Sequence, residues 1–282
     1  MCGRYASSRR PEDLVEEFEV VENRVPAPLA ADYNVAPTKE VYAVLERPAR
    51  TEADGSAVPA QRQLRTLTWG LVPSWAKDPA IGSRMINARA ETASEKPAFR
   101  KAFRSRRCLL PADGYYEWYV TSEVTKAGKP VKQPYFIRPR DGGVLAMAGL
   151  YEIWRDPDRA DDDPDRFRWT CTVLTTEAAD DLGHIHDRMP LMVERERWDD
   201  WLDPALGEVE QVGDLLVPAA PGVLEAYPVS TAVGNHRNNG PQLVEPLPLE
   251  DVAGHDTGAE GEGEDALFAA EEIEKKDTRE RR

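Results

Sequence analysis

Residues 108–118 read CLLPADGYYEW, and this stretch decides the fold class. Asp113-Gly114 is a turn signal, and it leads into an aromatic strand over 115–120 (YYEWYV). Similar strand-like runs lie on both sides: 41–46 (VYAVLE), 64–69 (LRTLTW), 134–138 (PYFIR), 144–154 (VLAMAGLYEIW) and 167–174 (FRWTCTVL). They are rich in β-branched and aromatic residues and are separated by Gly, Pro and Asp clusters. A helix is expected from Pro11 to Phe18: Pro11 suits the first helical position, Glu12 and Asp13 favour the positive end of the dipole, and Leu14 and Phe18 form one apolar stripe. Shorter helices are expected at 91–104, 176–182 and 195–202. Strands outnumber helices and do not alternate with them, so the pattern predicts a single mixed, mainly antiparallel α+β domain.

The chain has 282 residues, ample for a packed core. No apolar run approaches the ~18 residues of a membrane span. The N-terminus has no secretory pattern, and the three cysteines are odd in number and widely spaced, which points to a reducing cytosol. The formal charge of −15 speaks against nucleic acid when taken alone. Its distribution is uneven, however. Residues 251–282 carry eleven acids and five bases, and 157–165 (DPDRADDDP) is a second acidic patch, whereas 84–107 hold eight bases and two acids. That run is either a basic binding face or an ordinary solvated helix face. Loop excursions are expected at 50–62, 121–133 and 155–167. The domain is expected to span 2–248, and 249–282 to form a disordered acidic tail, with a short helix near 265–275.

Five groups of residues could carry chemistry. Cys2 follows Met1, and a small second residue favours loss of the initiator methionine. Cys2 would then present an α-amine titrating near about 7.7–8.0 beside a thiol near about 8.5. Such a 1,2-aminothiol converts an aldehyde first to an imine and then to a five-membered thiazolidine. The alternative is a frayed end. Asn87 and Arg89, in Asn87-Ala-Arg-Ala-Glu-Thr92, could hold a substrate or simply enter a helix. Glu117 faces away from Tyr116 and Trp118, and sits either in an apolar pocket with a raised pKa or on the solvent face. His184 and His186 lack a third metal ligand at suitable spacing; His186 suits proton transfer, with Arg188 as a phosphate clamp. Trp69 and Trp75 could stack bases beside the basic run, or belong to a core.

Taken together, these blocks resemble the SRAP (SOS response-associated peptidase) family. MCGRY (1–5), YNVAPT (33–38), WGLVPSWA (69–76), INARAET (86–92), CLLPADGYYEW (108–118), AGLYEIW (148–154), TVLTTEA (172–178), HDRMP (186–190) and VSTAVGN (229–235) occur in the family's order. The resemblance covers the globular part and not the tail. It implies a β-barrel-like α+β domain with short helices that bonds covalently, through Cys2 and a thiazolidine, to abasic sites in single-stranded DNA or at single-strand/duplex junctions. It implies Cys2 as nucleophile, Asn87 positioning the N-terminus and sugar, Glu117 shuttling a proton and His186 opening the sugar ring. Arg4, Asn34, Arg89, Thr175 and Arg188 fall where the family binds DNA backbone and sugar, and Pro37 and Trp75 where it wedges and stacks. No metal or organic cofactor is implied. The further expectations are a monomeric, cytoplasmic bacterial protein, nucleoid-associated on DNA, with replication or repair proteins as partners of the tail. The acidic loop at 155–167 is expected away from the DNA groove. The rival readings are a cysteine-type peptidase that removes its own Met1, and a non-covalent DNA-binding scaffold.

Overall fold

The aromatic stretch at 115–120 is the first half of an eleven-residue strand, Gly114–Val124. The computed structural model describes residues 2–51, 57–178 and 182–252; the expected tail beyond 252, with its helix near 265–275, lies outside the described residues. In chain order the strands are β1 (Tyr5–Ser7), β2 (Glu22–Asn23), β3 (Asp32–Val35), β4 (Glu40–Arg47), β5 (Arg50–Thr51), β6 (Ala57–Val58), β7 (Gln61–Trp69) and β8 (Asn87–Arg89). They continue as β9 (Arg107–Ala112), β10 (Gly114–Val124), β11 (Pro130–Pro139), β12 (Leu145–Arg155), β13 (Phe167–Glu177), β14 (Arg188–Pro190) and β15 (Leu224–Pro228). The strands absent from the sequence reading include β1, β3 and β8, which at three or four residues are too short to show alternation.

Five strands, β7, β4, β9, β12 and β13, follow one another antiparallel, and a parallel contact of β13 with β7 (Thr170 to Thr68, Cys171 to Trp69) closes the ring into a barrel. Beside it lies a five-stranded sheet in the order β15-β11-β10-β1-β3. Alternation sets what each strand contributes. Val41, Ala43 and Leu45 of β4 and Cys108 and Leu110 of β9 face a core that also takes Cys2, Tyr5, Tyr115 and Ile137 from the second sheet. Tyr42, Val44 and Leu109 face the other way, onto Leu14 and Phe18 of helix α1 (Pro11–Glu17) and onto flanking helices. On β10, Tyr115 joins the first core while Tyr116 joins a third cluster with Phe136, Val229 and Leu243. That strand is thus covered on both sides.

The expected helix at 91–104 is two: α2 (Ala90–Ala93) and α3 (Arg100–Ser105). Pro97 lies between them and cannot donate to a continuous ladder. The helix expected at 176–182 is not formed where it is described, because Thr176 and Glu177 close the β13–β14 ladder. The expected loop at 50–62 gives way to β7 from Gln61. The basic run is partly internal. Arg107 is buried and donates to the carbonyls of Phe103, Arg104 and Trp201 at 2.9, 2.9 and 2.6 Å, capping the C-terminus of α3. Arg106 pairs with Glu152. The other six bases of the run are exposed.

The Trp75 loop, 70–86, leaves β7 at Gly70. There φ is +131°, and an added Cβ would lie 2.6 Å from the carbonyl oxygen of Gly82. The acidic loop is not remote from this segment: Trp154, at its base, donates its indole N–H to the Ala76 carbonyl at 2.7 Å. Its carboxylates are met by arginines, with Arg159 on Asp156 and Asp163, Arg155 and Arg166 on Asp161, and Arg168 on Asp156. Among the described residues no helix is long and apolar enough to cross a membrane.

Candidate active site

β8 lies along the second half of β13, with Asn87 opposite Val173 and Arg89 opposite Thr175. That register carries Asn87 to the chain's start, where its Nδ2 donates to the Cys2 carbonyl at 2.7 Å. Asn87 Oδ1 is buried without a hydrogen-bond partner. Cys2 was expected as an exposed nucleophile. The structure buries it completely, within the core shared by barrel and second sheet. Burial first, and then the nearby Glu117 carboxylate, push its thiol well above the ordinary thiol range, so thiolate is scarcer than the sequence suggested.

Glu117 projects from β10 on the Tyr115 side, opposite Tyr135 and away from Tyr116, as alternation requires. It is only 4% exposed, because the β10 face is covered by the barrel. Burial pushes its carboxyl up to about 7, against the opposing charge of the chain's amino terminus. A carboxyl poised there both accepts and returns a proton near neutral pH.

His186 lies just ahead of β14. The Arg188 amide donates to its Nδ1 at 3.0 Å, which places the hydrogen of the neutral ring on Nε2. Asp187 Oδ1 is 2.9 Å from the same nitrogen, and that contact becomes an ion pair only in the imidazolium. Burial, followed by the charge of the amino terminus, holds the imidazole below its usual range, so the ring is neutral at pH 7. No group of three or more His, Cys, Asp or Glu placed to hold a metal ion occurs among the described residues.

The expected DNA contacts divide into exposed and committed groups. Arg89 is exposed beside Asn87, Trp75 is 60% exposed, and Pro37 is half-buried. Pro37 and the Trp75 loop leave the barrel at the same end, since the Thr38 amide donates to the Trp69 carbonyl. Arg188 is held by a carboxylate: its Nη1 and Nη2 donate to Glu91 Oε1 and Oε2 at 2.8 and 3.0 Å, and Nη2 also meets the Thr175 carbonyl at 2.5 Å. This pairing lowers the Glu91 pKa, and Arg188 Nε remains buried without a partner. Glu91 was legible only as a helix opener, because nothing in its neighbourhood points to residue 188.

Thr175 and Asn34 are buried. Asn34 Oδ1 accepts from Arg4 at 2.6 Å, and its Nδ2 reaches the carbonyls of Val233, Asn235 and Asn238 at 3.2, 3.1 and 2.9 Å. Asn34, expected as a DNA contact, is thus buried and fastens the 233–238 segment. Arg4 donates to the Val233 carbonyl as well, while its Nε is buried without a partner.

A family model described as SOS response associated peptidase (SRAP) matches residues 1–236. The chain is 38% identical over 245 residues to the abasic site processing protein YoqW of Bacillus subtilis (strain 168), covering 87% of this chain and 99% of that protein. It is 32% identical to the abasic site processing protein YedK of Escherichia coli (strain K12), covering 88% and 100%. It is 29% identical to the abasic site processing protein HMCES of Xenopus tropicalis, covering 79% and 68%. A solved protein from Bacteroides thetaiotaomicron shares the fold at a TM-score of 0.69 and 24% identity, covering 88% of this chain and all of that one.

Proposed function

The chain belongs to the SOS response associated peptidase family, and on that footing we propose that it processes abasic sites in DNA by bonding to them covalently through Cys2. The observation that carries this reading is the convergence of Asn87 on the Cys2 backbone, beside a buried Glu117 whose carboxyl sits at about 7. The unmet acceptor of Asn87 and the unmet Nε donor of Arg188 support it, since buried polar atoms without partners are those a bound sugar or phosphate can satisfy.

The chemistry proceeds in balanced steps. Water hydrolyses the Met1–Cys2 peptide bond and leaves the α-amine on Cys2. The sugar of the abasic nucleotide opens to its C1′ aldehyde, with neutral His186 moving the hydroxyl proton. The Cys2 amine adds to C1′, and loss of water, for which Glu117 supplies the proton, gives an imine. The thiol then adds across the C=N bond, sulfur to carbon and hydrogen to nitrogen, to close the thiazolidine. Because burial disfavours the thiolate, Glu117 as its carboxylate serves as the base for this last step. Holding amine, thiol and aldehyde together removes the entropic cost of three separate encounters.

The same N-terminus carries out the self-processing removal of Met1. The test is to mix the purified protein with single-stranded DNA bearing one abasic site, denature, and weigh the products. The expected product is a denaturant-stable adduct one water lighter than the sum of Met1-free protein and DNA, absent in Cys2→Ala. Met1-free protein that yields no adduct between mildly acidic and neutral pH overturns the reading.

A further inference from the structure

We infer that Tyr119 and His184 form a stacking shelf for the nucleobase next to the abasic nucleotide. This rests on the abasic-site reading above and adds a subsite to it. Tyr119 lies two residues beyond Glu117 on β10, so alternation puts both side chains on one face, about 6.6 Å apart along the strand. Tyr119 is 37% exposed although its neighbours along that face are buried. The exposed His184 ring stands 6.4 Å from it at 61°, and Tyr135 closes the other side at 6.3 Å and 78°. His184 belongs to the same short segment as His186. Each member of the shelf is thus two residues from a group at the reacting centre, one on each flanking element.

A strand whose abasic sugar lies at Cys2 must place its next base within one nucleotide step of that point. A half-exposed aromatic pair at that range offers a π surface, which any base can use. Beyond it, the β10–β11 hairpin carries Lys126, Lys129 and Lys132 against one acid, Glu123. That charge is suited to the continuing phosphates.

The experiment measures non-covalent binding, by anisotropy, of full-length protein to labelled single-stranded DNA carrying a tetrahydrofuran abasic analogue, which has no aldehyde. A second oligonucleotide replaces the base on one side of the analogue with a further tetrahydrofuran, and a third does so on the other side. The expected result is binding about 5- to 150-fold weaker for one of the two, the magnitude of one stacked base. Tyr119→Ala should lose the same factor with the base present and nothing more when that base is already missing. His184→Ala should lose part of it, and Tyr119→Phe should bind like wild type. Thermal unfolding of each variant confirms an intact fold.

Unchanged binding by Tyr119→Ala overturns the shelf and leaves the covalent reading standing. A Tyr119-dependent loss together with no adduct on true abasic DNA overturns the covalent reading and keeps the shelf. No binding by wild type to any of the three oligonucleotides overturns the shelf, and together with no adduct on true abasic DNA it overturns both.

Discussion

At Glu117 the physics of one residue has two measurable consequences. Its carboxyl is raised to about 7 from 4.5 by burial, so the group is half-charged at neutral pH. The adduct-forming rate should therefore show an inflection near pH 7 that Glu117→Gln abolishes, with the rate reduced about 10²- to 10⁴-fold. A pH profile of Glu117→Gln identical to wild type would remove the residue from the mechanism. The second consequence concerns stability. A raised folded-state pKa makes stability complete below the unfolded value and progressively lost as pH rises through the folded one. Wild type should thus lose stability relative to Glu117→Gln between about pH 4.5 and 7, by up to about 3 kcal/mol, read from denaturant unfolding of both proteins across that range. Alternation alone identified the face of Glu117; its burial comes from the barrel packed over β10, which no local pattern contains.

At the scale of elements, side chains that read as ligand contacts act as fasteners. Asn34 on β3 ties down the 233–238 segment through its amide and orients Arg4 through its carbonyl. Asn34→Ala removes the acceptor of one Arg4 hydrogen bond and the three amide bonds to the 233–238 carbonyls, so unfolding free energy should fall by about 1–3 kcal/mol. Urea titration measures it, and no change would mean that the segment is held by other contacts. Arg107 makes the same point at the C-terminus of α3, where it satisfies carbonyls that the ending helix leaves open. From sequence Asn34 stood as a DNA contact implied by the family resemblance, and Arg107 as one base of a run that was either a binding face or a solvated helix face. Their partners are as many as 204 residues away, so spacing could not reveal them.

Across the whole molecule, a chain of net charge −15 is proposed to hold an anionic strand. The acidic loop at 155–167 is partly neutralised by Arg155, Arg159 and Arg166 within it and by Arg168 beside it, so it abuts the Trp75 loop without presenting its full charge. Arg89 stands exposed beside Asn87. Affinity for single-stranded DNA should therefore fall with salt, and Arg89→Ala should make the slope of log K against log salt shallower by about 0.7, the share of one phosphate on a single strand. An unaltered slope would place Arg89 off the backbone.

By itself the sequence determined the antiparallel α+β character, the six longest strands, helix α1 and the identity of the residues gathered at the chain's start. Those follow from periodicity, turn chemistry and ordered motifs, all of which are local. The closure of the barrel through a two-residue parallel contact, the burial of Cys2, the occupation of Arg188 by Glu91 and the meeting of Tyr119 with His184 were decided only by the tertiary structure. Each is a contact between segments distant along the chain, and the energy of such a contact depends on what packs around it.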